Sequence, residues 1–205
     1  RIKFKYWGHT DIVFHSSDIG RKDGDFKIFK DKSLYKNFLY DLENFLNGSN
    51  FKMFFLAVDK NNAGKVGWND IKIYKETTNF IIRNFLLILL SNDSRGEVII
   101  ESATAEKDFY FHRALGHFVA EGLKKPKVHH SKVQETLTSI SFVSKKNHDI
   151  EEQVADLLAH AAKCKYLKRI PRQGTYEDII LKILKKKIFK MPRNASQIKE
   201  RFLKF

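Results

Sequence analysis

Apolar residues recur at helical spacing in four long stretches of the chain. The first begins at Leu34 and stops at Asn47-Gly48, a pair that ends helices, and the last begins after Asp149, which with Glu152 forms a capping-box pattern. A shorter helix is predicted after the break at 171–174. The pattern therefore predicts helices over about 34–46, 74–90, 108–123 and from 150 onward, and a helical tail near the end.

Short apolar runs between these helices are typical of strands. Four such runs cover residues 12–15, 53–58, 96–101 and 140–143, and residues 16–32 form a polar region that we expect to be turns. Strands that alternate with helices favour one α/β domain. We therefore predict a domain over 1–166 and a basic helical extension over 167–205.

Carboxylates stand at chemically useful places in this pattern. Asp59 follows the run 53–58, Glu101 ends the run 96–101, and Asp156 lies beside the buried stripe of the helix that begins near 150. Two converging carboxylates are the minimum that holds a divalent cation through oxygen ligands. The alternatives remain open: a turn-forming aspartate at 59, a lysine-paired glutamate at 101 and a solvated position at 156.

Composition narrows the class of protein. A chain of 205 residues with 42% apolar residues can bury one sizeable core. Cys164 is the single cysteine, which excludes an internal disulfide and favours a reducing compartment. The longest apolar run, 80–90, is far shorter than the ~20 residues of a membrane span. We expect a cytoplasmic protein that does not enter the membrane.

The net charge of +14 is concentrated toward the end of the chain, where 14 Lys and Arg after position 162 face three acidic residues. Such a field attracts phosphate polyanions, so nucleic acid is the expected partner, with Lys185, Lys186 and Lys187 as its contacts. A solvated lysine-rich surface is the alternative. Charge does not separate DNA from RNA, and the pattern leaves the oligomeric state undetermined.

Several segments, in order, resemble the domain-of-unknown-function 3800 family. They are Val13 to Ile19 with Gly24-Asp25-Phe26, Asp59-Lys60 after an apolar run, Gly96 to Glu101, Lys145 before a polar turn, and Gln153-Val154-Ala155-Asp156-Leu157. The resemblance runs from about residue 12 to 162. It implies a ribonuclease-H-like mixed sheet flanked by helices.

The resemblance also implies a metal-dependent nuclease that hydrolyses phosphodiester bonds of DNA or RNA. Glu101, Asp156 and Asp59 would then hold Mg²⁺ or Mn²⁺, Lys145 would neutralise phosphate charge, and His15 would move a proton. His15 is equally compatible with a hydrogen-bonded structural histidine. A catalytically inactive nucleic-acid-binding or assembly module with the same fold is the alternative function.

One feature of that family is missing before His15. Its members open with a strand that carries Asp-Glu-Ser-Gly, whose aspartate would be a central metal ligand, and the printed sequence shows no such motif. We expect either that this strand lies outside the printed sequence, which is the favoured explanation, or that the ligand was lost. In the first case the printed chain should cleave nucleic acid weakly or not at all.

Overall fold

The computed structural model describes residues 1–144 and 149–189, which group into two compact units. The first unit is formed by residues 1–57 together with the described residues 149–189, and the second by residues 58–144. The protein is mixed α/β, 63% helical, with one small parallel sheet. The α/β class predicted from the sequence is therefore confirmed.

Helices build the first unit, and the second unit adds the two strands. In the first unit they are α1 (Ile2–Trp7), α2 (Ser16–Arg21), a 3-10 helix (Gly24–Lys30), α3 (Lys32–Gly48), α8 (Ile150–Tyr166) and α9 (Tyr176–Lys187). In the second unit they are α4 (Lys60–Lys65), α5 (Asp70–Ser91), β1 (Gly96–Glu101), α6 (Ala105–Glu121), α7 (His130–Thr136) and β2 (Leu137–Val143). No helix in these ranges is long and apolar enough to cross a membrane.

An aromatic cluster forms one part of the core of the first unit. Phe38, fully buried on α3, stacks on Phe29 with ring centroids 4.4 Å apart and meets Tyr6 and Trp7 edge-on. Offset and edge-on aromatic pairs are favourable beyond the area that they bury. Helix α3 thus presents the face that its spacing predicted, and its first turn is capped by the Asp31 side chain.

Helix α9 completes the same core. Its apolar residues Ile180, Ile183 and Leu184 are fully buried with residues of α3 and α8. The basic extension predicted over 167–205 therefore contains a helix that belongs to the packed first unit. Residues 190–205 of that extension lie outside the described residues.

The second unit is built around the strand pair. β1 and β2 are parallel, with Val98 opposite Ile140 and Glu101 opposite Val143, and α5 and α6 supply most of the second core. The strand predicted over 96–101 is confirmed at both ends, and the strand predicted over 140–143 begins earlier, at Leu137.

Two other predicted strands and one predicted turn region are wrong. Residues 12–15 form no strand, and residues 53–58 form one isolated parallel bridge, Met53 with Ile188. A short apolar run can be buried without pairing to a neighbouring strand. Both runs therefore have the sequence pattern of a strand, although neither belongs to a sheet. The region 16–32, expected as turns, holds α2 and the 3-10 helix, because three of its apolar residues, Ile19, Phe26 and Phe29, are buried in the core.

Candidate functional site

His15 and Asp156, two of the predicted site residues, meet in the first unit. The Nδ1 atom of His15 lies 3.7 Å from Oδ2 of Asp156, and the two side chains are 33% and 46% exposed. His15 immediately precedes α2, and Asp156 stands on the second turn of α8. A half-exposed histidine beside a carboxylate can exchange protons with solvent or with a bound ligand.

The main chain around His15 is held by side chains of α8. The N–H of Phe14 donates to Oε1 of Gln153 at 2.9 Å, and the N–H of Ser16 donates to Oδ2 of Asp156 at 3.1 Å. Gln153 and Asp156 are three residues apart, so they project from one side of the helix. They replace the strand neighbour that residues 12–15 lack, and they set the position of His15.

A buried hydrogen bond lies directly behind this pair. The phenol of Tyr176, at the start of α9, donates to Oγ of Ser16 at 2.9 Å, and both residues are buried. Burial raises the pKa of the Tyr176 phenol, the hydrogen bond to Ser16 opposes that shift, and the negative charge of Asp156 adds to it. Tyr176 therefore stays neutral and able to donate well above pH 7.

Further ionisable groups follow along α8. His160, one turn after Asp156, places Nε2 at 4.0 Å from Oε1 of Glu177 and at 3.7 Å from Sγ of the buried Cys164. Both contacts involve the same ring nitrogen, so this trio is not arranged as a catalytic relay, in which the acid and the nucleophile contact different nitrogens.

Burial and the charge of Glu177 raise the pKa of nearby Tyr35 to about 12.

The fit of a divalent cation to this site rests on Asp156. Within residues 1–144 and 149–189, no group of three or more His, Cys, Asp and Glu side chains could hold a metal ion. Mg²⁺, however, is commonly bound through one or two carboxylates together with water and substrate phosphate oxygens. The Asp156 side chain is half exposed and accepts a hydrogen bond from the N–H of Ser16, so its carboxylate fits that mode of binding.

The other predicted ligands lie in the second unit. Asp59 accepts hydrogen bonds from the N–H groups of Asn61 and Asn62 and caps α4, which matches the turn-forming alternative. Glu101 is the last residue of β1 and is half-buried. Lys145 lies outside the described residues.

The three lysines predicted to contact nucleic acid have different environments. Lys185 is exposed on the last turn of α9, and Lys186 is exposed and donates to the side chain of Asn47 at 3.2 Å. Lys187 is half-buried and donates to the backbone carbonyls of Asn47 and Ser49, where α3 ends. Lys187 therefore has a structural role, whereas Lys185 and Lys186 are exposed.

Sequence reasoning missed three residues that build the site, namely Gln153, Ser16 and Tyr176. A signal existed for Gln153, because its spacing from Asp156 puts both side chains on one side of α8. No periodic signal joins Ser16 to Tyr176, which are 160 residues apart.

Comparison of the chain with protein-family models, with curated proteins and with solved structures found no match.

Proposed function

We propose that the first unit carries a phosphodiester-hydrolysing site centred on His15 and Asp156, and that the chain acts on nucleic acid as a metal-dependent nuclease. The observation that supports this proposal is the approach of His15 to Asp156, which lie far apart in the sequence. A histidine beside a carboxylate is a common general acid or base. The ordered resemblance noted above supports the choice of a phosphodiester as substrate.

The roles of the residues follow from their contacts. Asp156 faces Nδ1 of His15, so Nε2 of His15 is the nitrogen that would take a proton from an attacking water or return one to a leaving oxygen. Gln153 and Asp156 hold the main chain on the two sides of His15, and Tyr176 holds the side chain of Ser16. Bound Mg²⁺ or Mn²⁺ would supply charge stabilisation to the phosphate.

The charge of the first unit supports a polyanionic substrate. Its described residues contain 19 Lys and Arg against 13 Asp and Glu. A positive surplus raises the local concentration of a polyanion and speeds its encounter with the protein. DNA and RNA share this chemistry, and both are tested below.

A pair of substitutions at Asp156 separates catalysis from folding. Asp156→Asn keeps an oxygen that can accept the Ser16 N–H but removes the charge, whereas Asp156→Ala removes both. Cleavage of fluorescent DNA and RNA oligonucleotides with Mg²⁺ or Mn²⁺ is measured on the protein expressed from its whole gene, where Asp156→Asn and His15→Gln should each lower it by about 100-fold or more. Asp156→Asn should change the free energy of unfolding by less than about 0.5 kcal/mol, and Asp156→Ala should lower it by about 1 kcal/mol.

The alternative is a catalytically inactive nucleic-acid-binding or assembly module. It is favoured by the fact that Asp156 and Asp59 both already accept main-chain hydrogen bonds at helix starts. Under this alternative the wild-type protein expressed from its whole gene binds oligonucleotides, no metal ion elicits cleavage, and Asp156→Asn binds as tightly as wild type. Equal cleavage by wild type and Asp156→Asn would remove the mechanism proposed here.

A further inference from the structure

The segment that follows α3 has the side-chain pattern of a strand without a strand beside it. Phe51, Met53 and Phe55 pack against the core of the first unit. Phe54 lies between Met53 and Phe55, and Leu56 follows Phe55. Both are half-buried, and neither is among the described side chains that pack on that core. Alternation with a period of two residues is the signature of a β-strand with one buried face.

The backbone of this segment is paired on one edge at a single residue, Met53. The N–H of Met53 donates to the carbonyl of Lys187 at 2.9 Å, and the Met53 carbonyl accepts the N–H of Phe189 at 2.7 Å, which forms the parallel bridge to Ile188. When both groups of one residue bond to one neighbour, the groups of the residues before and after it point the other way. The N–H and C=O groups of Lys52 and Phe54, and by continuation those of Leu56, therefore form the opposite edge.

That opposite edge is open in the described part of the chain. No backbone or side-chain hydrogen bond between described residues reaches the main chain of Lys52, Phe54 or Leu56. Backbone groups in half-buried segments are strong donors and acceptors that are nearly always paired. A row of such groups on an apolar segment is a template for strand addition, in which main-chain bonds give affinity and alternate side chains give specificity.

We propose that the edge formed by Lys52, Phe54 and Leu56, the open edge, docks an extended strand of another polypeptide that is apolar in its centre and acidic at its ends. The apolar centre matches Phe54 and Leu56, and the acidic ends match Lys52 and the surplus of 19 Lys and Arg over 13 Asp and Glu in the described first unit. This proposal does not depend on the nuclease function.

Charge argues against a second copy of the chain as the occupant. Each copy carries a net charge of +14, so two copies repel each other as they approach. A lysine on an exposed edge is also a common device against self-pairing of strands. An acidic strand meets attraction where a second copy meets repulsion.

The test uses the full chain and a fluorescein-labelled nine-residue peptide, Asp-Glu-Val-Thr-Val-Thr-Val-Asp-Glu. One control peptide replaces the Asp and Glu residues by Lys, and another carries N-methyl groups on alternate amides, which prevents strand pairing. We expect the acidic peptide to bind about 3- to 10-fold more tightly than either control and to slow hydrogen exchange at the amides of Lys52, Phe54 and Leu56.

Two substitutions at one position test the edge itself. Phe54→Pro removes an N–H on the open edge, and Phe54→Ala shortens the side chain but keeps that N–H. Phe54→Pro should bind the acidic peptide about 3- to 10-fold more weakly than Phe54→Ala. If Phe54→Pro does not fold, the N-methylated peptide on the wild-type chain makes the same comparison.

Four results would overturn the proposal, and a fifth would reassign the edge. They are equal binding of the three peptides, binding of none, exchange protection at other amides, and strong protection of the open edge in the free protein at low concentration, which would show that the chain covers the edge itself. Protection that appears without peptide as the protein concentration rises would assign the edge to a second copy and also reject the proposed occupant.

Discussion

Lys187 and Lys185, two residues apart on α9, should respond differently to the same substitution. Lys187 donates to the carbonyls of Asn47 and Ser49, and its ammonium lies 4.9 Å from the centre of the Phe51 ring. Lys185 is exposed and has no described hydrogen-bond partner or ion pair within residues 1–144 and 149–189. Replacing either lysine by glutamine removes one positive charge, so the pair separates structure from charge.

The expected magnitude follows from the contacts of Lys187. A hydrogen bond from a charged donor contributes about 1.5–3 kcal/mol when it is well buried, and a cation at a helix C-terminus contributes about 0.3–1 kcal/mol. Because Lys187 is half-buried, we expect Lys187→Gln to lower the free energy of unfolding by about 1–2 kcal/mol in total. For a chain of this size that corresponds to a fall in Tm of about 2–8 °C.

Two measurements on the same samples make the comparison. Thermal unfolding should place Lys185→Gln within about 1 °C of wild type and Lys187→Gln clearly below it. If Lys185 contacts a phosphate, a plot of log affinity for an oligonucleotide against log salt should lose about one unit of slope in Lys185→Gln and keep its slope in Lys187→Gln. Wild-type stability in Lys187→Gln, with a reduced salt slope, would refute the structural role of Lys187.

Three other perturbations follow from the described contacts. Burial and the charge of Glu177 raise the pKa of Tyr35 to about 12, so the stability that depends on its neutral phenol is present below about pH 10 and is lost between about pH 10 and 12. Over that range the free energy of unfolding, measured with urea, should fall less steeply with pH in Tyr35→Phe than in wild type. At Gly122, where φ is +73°, an alanine Cβ would clash with the Val128 carbonyl oxygen, so Gly122→Ala should destabilise the protein by more than about 1 kcal/mol. Gly116→Ala, in open space within α6, should stabilise it by about 0.5–1 kcal/mol in the same unfolding assay. Phe38→Ala should cost about 3–5 kcal/mol, measured by urea unfolding, because Phe38 is fully buried among aromatic rings, and a cost below about 1 kcal/mol would contradict that packing.

The long helices were predictable because each one buries a single face. In α3 the spacing of its apolar residues and the Asn47-Gly48 stop reflect packing and helix ending within the helix itself. β1 was predictable for a similar reason. A short apolar run that lies between a turn and a polar segment is the usual sequence pattern of a strand in a parallel sheet. These signals are local, so no knowledge of distant residues was required.

The segments 12–15 and 53–58 show where local pattern fails. Each carries an apolar run of the kind that a buried strand needs, yet pairing depends on which distant backbone lies alongside. For residues 14–16 the neighbour is a row of side chains on α8, and for Met53 it is the end of α9. A run of apolar residues indicates burial, and the identity of its hydrogen-bond partner is a property of the whole fold.

The candidate site lies between these two cases. Asp156 and His15 were singled out by the ordered resemblance, and the distance between them is short because Gln153 and Asp156 bind the main chain on either side of His15. One helix side thus performs two tasks: it satisfies backbone groups that would otherwise be unpaired, and it presents a carboxylate to a histidine. Hydrogen bonding to the main chain is by itself a sufficient structural role for Gln153 and Asp156, so the presence of these two residues does not by itself require catalysis. The charge of Asp156 is the property that the first task does not need, since an amide oxygen accepts the same hydrogen bond, and for that reason Asp156→Asn distinguishes the two proposed functions.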